Sequence, residues 1–298
     1  MDLASRENDC GFDGNPDVYG LGIRLGVYCQ AVALAITVCF RQTTSQRGVS
    51  YGNGIFQFAM TIGLCILSTK SDFQAVEATI VVLLALCSSI QNPFGEKIQP
   101  LSRPWTLKKV QYWTWTTGLP IFRRGIELAL FLYAIWLLFV GLDRLSHSNT
   151  CKSFAFFFAP VDLYGWFRTL AKVYITGVVV VRTLLFVGWL RRVFRKRDNS
   201  SDSSDLSEIP GLIFAWAGCL FLIFFILSIE LMIRWNRITS LSSLSDVGQL
   251  VAFLVGLGGL LSVFLGWERG RDGRVDGRDA SEDENRSCPE LQDLESQA

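Results

Sequence analysis

L-I-F-A-W-A-G-C-L-F-L-I-F-F-I-L-S-I-E-L-M-I, residues 212–233, decides the fold. The stretch is 22 residues long and Glu230 is its one charged residue. A helix rising 1.5 Å per residue carries that length across the roughly 30 Å of a bilayer's hydrocarbon core. Working outward, five further stretches meet the same test or come close: 21–40, 73–90, 126–142, 165–190 and 247–267. A seventh, 49–69, is weaker, because its convincing apolar part is confined to 55–67. The chain therefore reads as all-α, a polytopic transmembrane helical bundle of about seven spans.

Composition agrees. Of 298 residues, 50% are hydrophobic and 18% charged, against about 25% charged in ordinary globular chains. A net charge of +1 excludes the basic footprint of a nucleic-acid binder. The first twenty residues are acidic and lack the apolar core of a cleavable signal, so the first span is expected to insert itself.

Basic residues in short loops stay on the cytoplasmic side. Seven spans with the N-terminus outside place 18 of the loop and tail lysines and arginines inside and 6 outside. That predicts an outer N-tail over 1–20, a cytoplasmic C-terminus, and residence in the plasma membrane or another secretory-pathway membrane. The 92–125 loop interleaves Lys97, Arg103, Lys108, Lys109, Arg123 and Arg124 with Trp105, Tyr112, Trp113 and Trp115, and reads either as an aromatic-basic skirt on the inner leaflet or as an ordinary inner loop. Residues 191–209 begin R-R-V-F-R-K-R and turn Ser-rich and acidic, a lipid-hugging half followed by a solvated linker. Residues 268–298 are charged and poor in apolar groups, and are expected to be disordered. Glycosylation at Asn199 or Asn285, both in inner sequons, would reverse the orientation.

Ionisable groups inside spans need a partner, water or a route to the surface. Arg168, Lys172 and Arg182 fall within about 80° of one another around the fifth span, and so share a face. Arg24, Glu77, Arg168, Lys172 and Glu230 lie at the outer level and make the candidate polar site, with Asp246 close by. It reads either as a water-accessible vestibule for a small polar solute or as interhelical ion pairs with snorkelling side chains. Arg182 lies deeper, with Glu127 as its expected partner.

His147 is the only histidine, which excludes a Ser-His-Asp relay and a multi-histidine metal site; no metal and no cofactor are expected. Enzyme chemistry is left to intramembrane carboxylates, as in integral-membrane terpene cyclases that use Glu and Asp, with Glu77 or Glu230 as the acid. Seven spans invite comparison with receptors, but D-R-Y after the third span, N-P-x-x-Y in the seventh and a lysine in the seventh are all missing. Cys10 and Cys151 are the two cysteines on the outer side and form the candidate disulfide. Gly22-x-x-x-Gly26 and Gly258-x-x-x-Ser262-x-x-x-Gly266 are small-residue stripes for close helix packing, by default within the chain.

N-P-D-V-Y-G-L-G-I-R-L-G-V-Y at 15–28, I-E-L-M-I-R-W-N-R-I at 229–238 and D-V-G-Q-L at 246–250 resemble the two ends of the membrane region in a family of fungal multi-pass membrane proteins. The resemblance implies a shared pattern that includes Asp17, Tyr19, Arg24, Glu230, Trp235, Asn236 and Gln249, all at the predicted outer level. It implies no particular reaction. A non-enzymatic transporter, channel or sensor is the leading expectation. A membrane enzyme or accessory protein of a fungal metabolite pathway is the alternative.

Overall fold

The computed structural model describes residues 11–40, 43–70, 72–87, 119–145, 153–195, 208–241 and 246–286. The expected Cys10–Cys151 pair, the end of the third expected span and the inner loop up to residue 118 lie outside them. In chain order the elements are β1 (Phe12–Asp13), α1 (Pro16–Tyr19), α2 (Leu21–Cys39), α3 (Thr43–Leu67) and α4 (Ala75–Cys87). Then come α5 (Leu119–Trp136), a π-helical turn (Leu137–Gly141), α6 (Leu142–Arg144), β2 (Phe154–Phe156), β3 (Pro160–Asp162), α7 (Trp166–Arg195), α8 (Glu208–Trp235), β4 (Ile238–Thr239) and α9 (Val247–Arg286).

Six helical stretches are long and apolar enough to cross a membrane: Pro16–Cys39, Gly48–Leu67, Ile121–Arg144, Trp166–Gly188, Trp216–Trp235 and Val247–Gly266. The chain is thus an all-α bundle of membrane-length helices. The second stretch, weakest in sequence, is one of the six: Gly48–Leu67 lies within a continuous helix that begins at Thr43. The third is the short one. α4 has 13 residues, about 20 Å at 1.5 Å per residue. Eleven of its residues are buried, so it is the central rod against which α2, α3, α5 and α8 pack. α7 lies outside, against α5, and its free face shows Val173, Tyr174 and Leu184 more than 60% exposed.

α9 runs past Trp267 to Arg286. Residues 11–20 form a structured segment. Asn15 caps α1 by accepting from the Asp17 N–H at 3.1 Å, and Pro16 occupies its first turn. β1 pairs in parallel with β4, while Leu21 N–H donates to the Leu241 carbonyl at 3.1 Å. The N-terminal segment thereby joins the exit of α8 and the entry of α9 in a cap at one end of the bundle. The β2–β3 hairpin completes this end: Asn236 accepts from Phe154 N–H at 2.9 Å and donates to its carbonyl at 2.7 Å.

Asp13, exposed on the cap, accepts from the Thr239 hydroxyl at 2.5 Å and the Ser240 hydroxyl at 2.8 Å. These bonds favour the carboxylate and hold its pKa below the ordinary 3.8. A lowered folded value stabilises the tie above the ordinary pKa and loses it as pH falls through the lowered one. The amide of Gly14, bonded to the Thr239 carbonyl at 3.2 Å, is therefore expected to keep its hydrogen-exchange protection down to about pH 4 and lose it below. An Asp13→Asn variant is expected to lose that step.

α2 and α9 form the closest helix pair. A Cβ placed on Gly26 would meet the Ala252 carbonyl oxygen at 2.3 Å, and one on Gly256 would meet the Gly26 carbonyl oxygen at 2.2 Å. The α2 stripe is Gly22 and Gly26. On α9 the facing residues are Gln249, Ala252 and Gly256, whereas a Cβ on Gly258, the first residue of the expected stripe, would meet nothing within 4 Å. Ala252 and Gly256 are the small residues that face α2, and Gln249 accepts from Gly22 N–H at the same contact.

Candidate functional site

The charged and polar groups of the spans gather in three places. At the cap end, Arg24 on α2 is 4% exposed, and its Nη1 meets Glu230 Oε2 on α8 at 2.5 Å. The Tyr28 hydroxyl donates to the other carboxylate oxygen at 2.9 Å. Arg24 and Tyr28 are one helical turn apart, which is why both reach one carboxylate. The pair is asymmetric: the side chain of Arg24 is 5% exposed and that of Glu230 44%. Arg24 Nε is buried with no hydrogen-bond partner among the described residues.

Glu77 stands beside this pair with a different job. Its Oε1 accepts from the Tyr19 hydroxyl at 2.7 Å and the Asn15 N–H at 3.2 Å, and its Oε2 from the Gln74 N–H at 3.1 Å. The last contact is half of a capping box: the third residue of α4 reaches back to the backbone of its N-cap. The sequence places Glu77 among basic partners; the structure surrounds it with neutral donors. It locks α1 onto the start of α4.

Arg168 and Lys172 go elsewhere. α7 packs on α5, so the shared face of its basic residues looks at α5 and the π turn. Arg168 holds Asp143 with both terminal nitrogens, at 2.7 and 2.6 Å. Its Nε donates to the Leu138 carbonyl at 2.9 Å and its Nη2 to the Phe139 carbonyl at 3.2 Å. A π turn breaks the regular i→i−4 ladder and leaves carbonyls without their usual donors. Arg168 supplies those donors, and Asp143 balances its charge. Tyr164 adds a bond to the Leu142 carbonyl at 3.2 Å. Lys172 lies over the Phe139 ring, 4.9 Å from its centroid, a cation–π contact. Arg24, Glu77 and Glu230 are thus brought together, while Arg168 and Lys172 form a separate group. Asp143 escapes sequence reasoning because it sits one residue beyond the apolar run. Asp246 is exposed at the start of α9.

Lysine at 168 would keep the charge but replace a planar five-donor fork with a point charge. Arg168→Lys is expected to cost about 1–2 kcal/mol, read as a lower thermal midpoint of the detergent-solubilised protein. An unchanged midpoint would show that the π turn finds its donors without the guanidinium.

The third group lies at the opposite end of the bundle. Arg182 Nη1 on α7 approaches Glu127 Oε2 on α5 at 3.8 Å, and Arg123 Nη2 approaches Glu127 Oε1 at 3.7 Å. Arg123 also donates to the Ser50 hydroxyl on α3. Among the described residues no three His, Cys, Asp or Glu side chains gather closely enough to hold a metal ion.

The residues of the resemblance converge on the cap. Gln249 accepts from Gly22 N–H at 3.4 Å, Trp235 stacks on Phe156 with centroids 5.9 Å apart, and Tyr19 and Asn236 hold the contacts given above. No family model, curated protein or solved structure matches the chain.

Proposed function

We propose that this chain is a non-catalytic multi-pass membrane protein of the transport or sensing kind, binding a small polar solute at the Glu230 side of the Arg24–Glu230 pair. One observation carries the reading: the guanidinium is sealed in protein while the carboxylate it holds is nearly half open. A group that binds a solute must be reachable, and Glu230 is. Arg24 and Tyr28 fix the carboxylate, and a negatively charged side chain with an open side suits a hydrogen-bond donor or cation on the solute. The loop-charge bias supports a cap facing outward and a C-terminus inside, so the site would open to the external medium. The resemblance to fungal multi-pass proteins at 15–28 and 229–250 belongs to the same proposal. Acid chemistry is the weaker alternative, because Glu77 accepts three hydrogen bonds and so serves as an acceptor.

The test is uptake by full-length protein reconstituted in liposomes, using labelled neutral and basic amino acids, polyamines and sugars. At least one compound is expected to accumulate, and Glu230→Gln to reduce that at least tenfold at equal reconstituted amount. A solute that shifts the thermal midpoint of the wild type but not of Glu230→Gln, without accumulating, would assign sensing. If no compound accumulates or shifts the midpoint, or if Glu230→Gln behaves as wild type, the cap site is not a solute site.

A further inference from the structure

We propose that Cys39 and Cys219 form a redox switch, joined by peroxide into a disulfide that locks α2 to α8 at the end of the bundle away from the cap. Of the five cysteines among the described residues, all free thiols, these two meet sulfur to sulfur at 3.7 Å. Two sulfurs at that distance are less than about 2 Å short of bonding. The switch does not depend on a solute binding at the cap.

The sequence of α2 prepares the contact. Ala31, Ala35 and Cys39 recur every four residues and so share one face of the helix. Ala31 and Ala35 are buried in one cluster with Leu222 of α8, and Cys219 packs against the same cluster. Small side chains let helices in a membrane bundle approach closely. The next residue along the stripe is then a thiol that faces a thiol. Cys87, at the end of α4, belongs to the same cluster but is fully buried, and serves as packing. Cys39 and Cys219 are only partly buried. That access suits hydrogen peroxide, which is small and uncharged, better than a large charged disulfide.

Placement gives the bond its effect. Cys39 lies 15 residues past Arg24 on α2, and Cys219 lies 11 residues before Glu230 on α8. At 1.5 Å per residue the thiols are roughly 20 Å from the ion pair that holds the same two helices. Reduced thiols leave this second point without a covalent tie; a disulfide fixes α2 to α8 near both ends. The loop-charge bias supports placing this end on the cytoplasmic side, where thiols rest reduced and a disulfide is a transient signal.

The chemistry balances with hydrogen peroxide as oxidant. One sulfur attacks a peroxide oxygen and becomes a sulfenic acid, and the displaced hydroxide takes the thiol proton to leave as water. The second sulfur attacks the sulfenic sulfur, and its proton leaves with the hydroxyl as a second water. Two electrons and two protons thus pass from the thiols to peroxide. A dithiol reductant reverses the bond by exchange.

Full-length protein in detergent would be reduced, freed of reductant and treated with hydrogen peroxide. Its remaining thiols would be blocked and its chymotryptic peptides mapped by mass spectrometry. A peptide pair joining Cys39 to Cys219 is expected in more than half of the wild-type molecules, with the thermal midpoint raised by about 5 °C. Dithiothreitol should reverse both. Cys39→Ser and Cys219→Ser should each lose the link and the shift, while Cys87→Ser should keep them. The midpoint before peroxide identifies a variant that has not folded, and the wild-type map stands without the variants. No link between Cys39 and Cys219, a link that leaves the midpoint unchanged, or a shift retained by both serine variants would overturn the switch.

Discussion

Gly256→Leu is expected to prevent the bundle from assembling. At this position α9 runs backbone to backbone against α2: an added Cβ would lie 2.2 Å from the Gly26 carbonyl oxygen and 2.5 Å from its Cα. Side chains in a core can rotate away from an inserted methylene, at a typical cost of 1–3 kcal/mol. A carbonyl inside a helix has no such freedom, so the two helices must separate along their whole contact. In a bilayer, close van der Waals packing is itself the main force holding helices together. The loss is expected to exceed about 3 kcal/mol, seen as aggregated material on gel filtration in detergent. Even Gly26→Ala should lower the thermal midpoint, since its Cβ would lie 2.3 Å from the Ala252 carbonyl oxygen. Gly258→Ala is the control. Two residues along α9, it has open space around it, and removing a helical glycine there should be neutral or stabilise by up to about 1 kcal/mol. Equal effects at 256 and 258 would refute the packing described.

The second large effect concerns Glu230. Glu230→Ala leaves Arg24, 4% exposed, as a charge without its counter-ion and takes an acceptor from Tyr28. Removing one member of a buried pair costs about 3–5 kcal/mol, whereas replacing both by apolar groups is often nearly neutral. Because Glu230 is partly open, the lower end, about 3 kcal/mol, is expected. The double variant Arg24→Met/Glu230→Met should recover most of the loss. Thermal midpoints of the four proteins form a double-mutant cycle. Coupling smaller than about 0.5 kcal/mol would mean that the contact contributes nothing beyond its separate members.

Much of the architecture is legible in sequence because its signal is local. An unbroken apolar run such as 212–233 has few fates, and α8 forms over it. Arg182 stands opposite Glu127 at a depth that follows from the rise per residue alone. What escapes is set by helix rotation, helix adjacency and departures from ideal helices. Arg168 and Glu77 both sit near one end of their helices, and depth alone groups them. Depth, however, says nothing about which helix lies beside α7. The π turn over Leu137–Gly141 has no local signature, so neither its loose carbonyls nor the role of Asp143 could be inferred. The donors to Glu77 come from Asn15 and Tyr19, 62 and 58 residues away, in a segment that reads as a plain acidic tail. On α9, small residues lie on more than one face, and the sequence does not say which of them meets α2.

The Arg24–Glu230 contact also has a consequence in time. The two residues are 206 positions apart, and ribosomes add about 5–20 residues per second. For roughly 10–40 s of synthesis, therefore, an arginine sits in the first helix before its carboxylate exists. An unpaired arginine at the centre of a helix costs about 2.5–3.5 kcal/mol during insertion. Position softens that cost, since Arg24 lies within one turn of the helix start and can reach the headgroups. The glycine face of α2 waits still longer, because α9 is made last. A nascent chain thus carries an exposed charge and an open groove through most of its synthesis. Both features are ones that membrane chaperones and quality-control proteases can recognise; α8 removes the first by bringing Glu230, and α9 later removes the second.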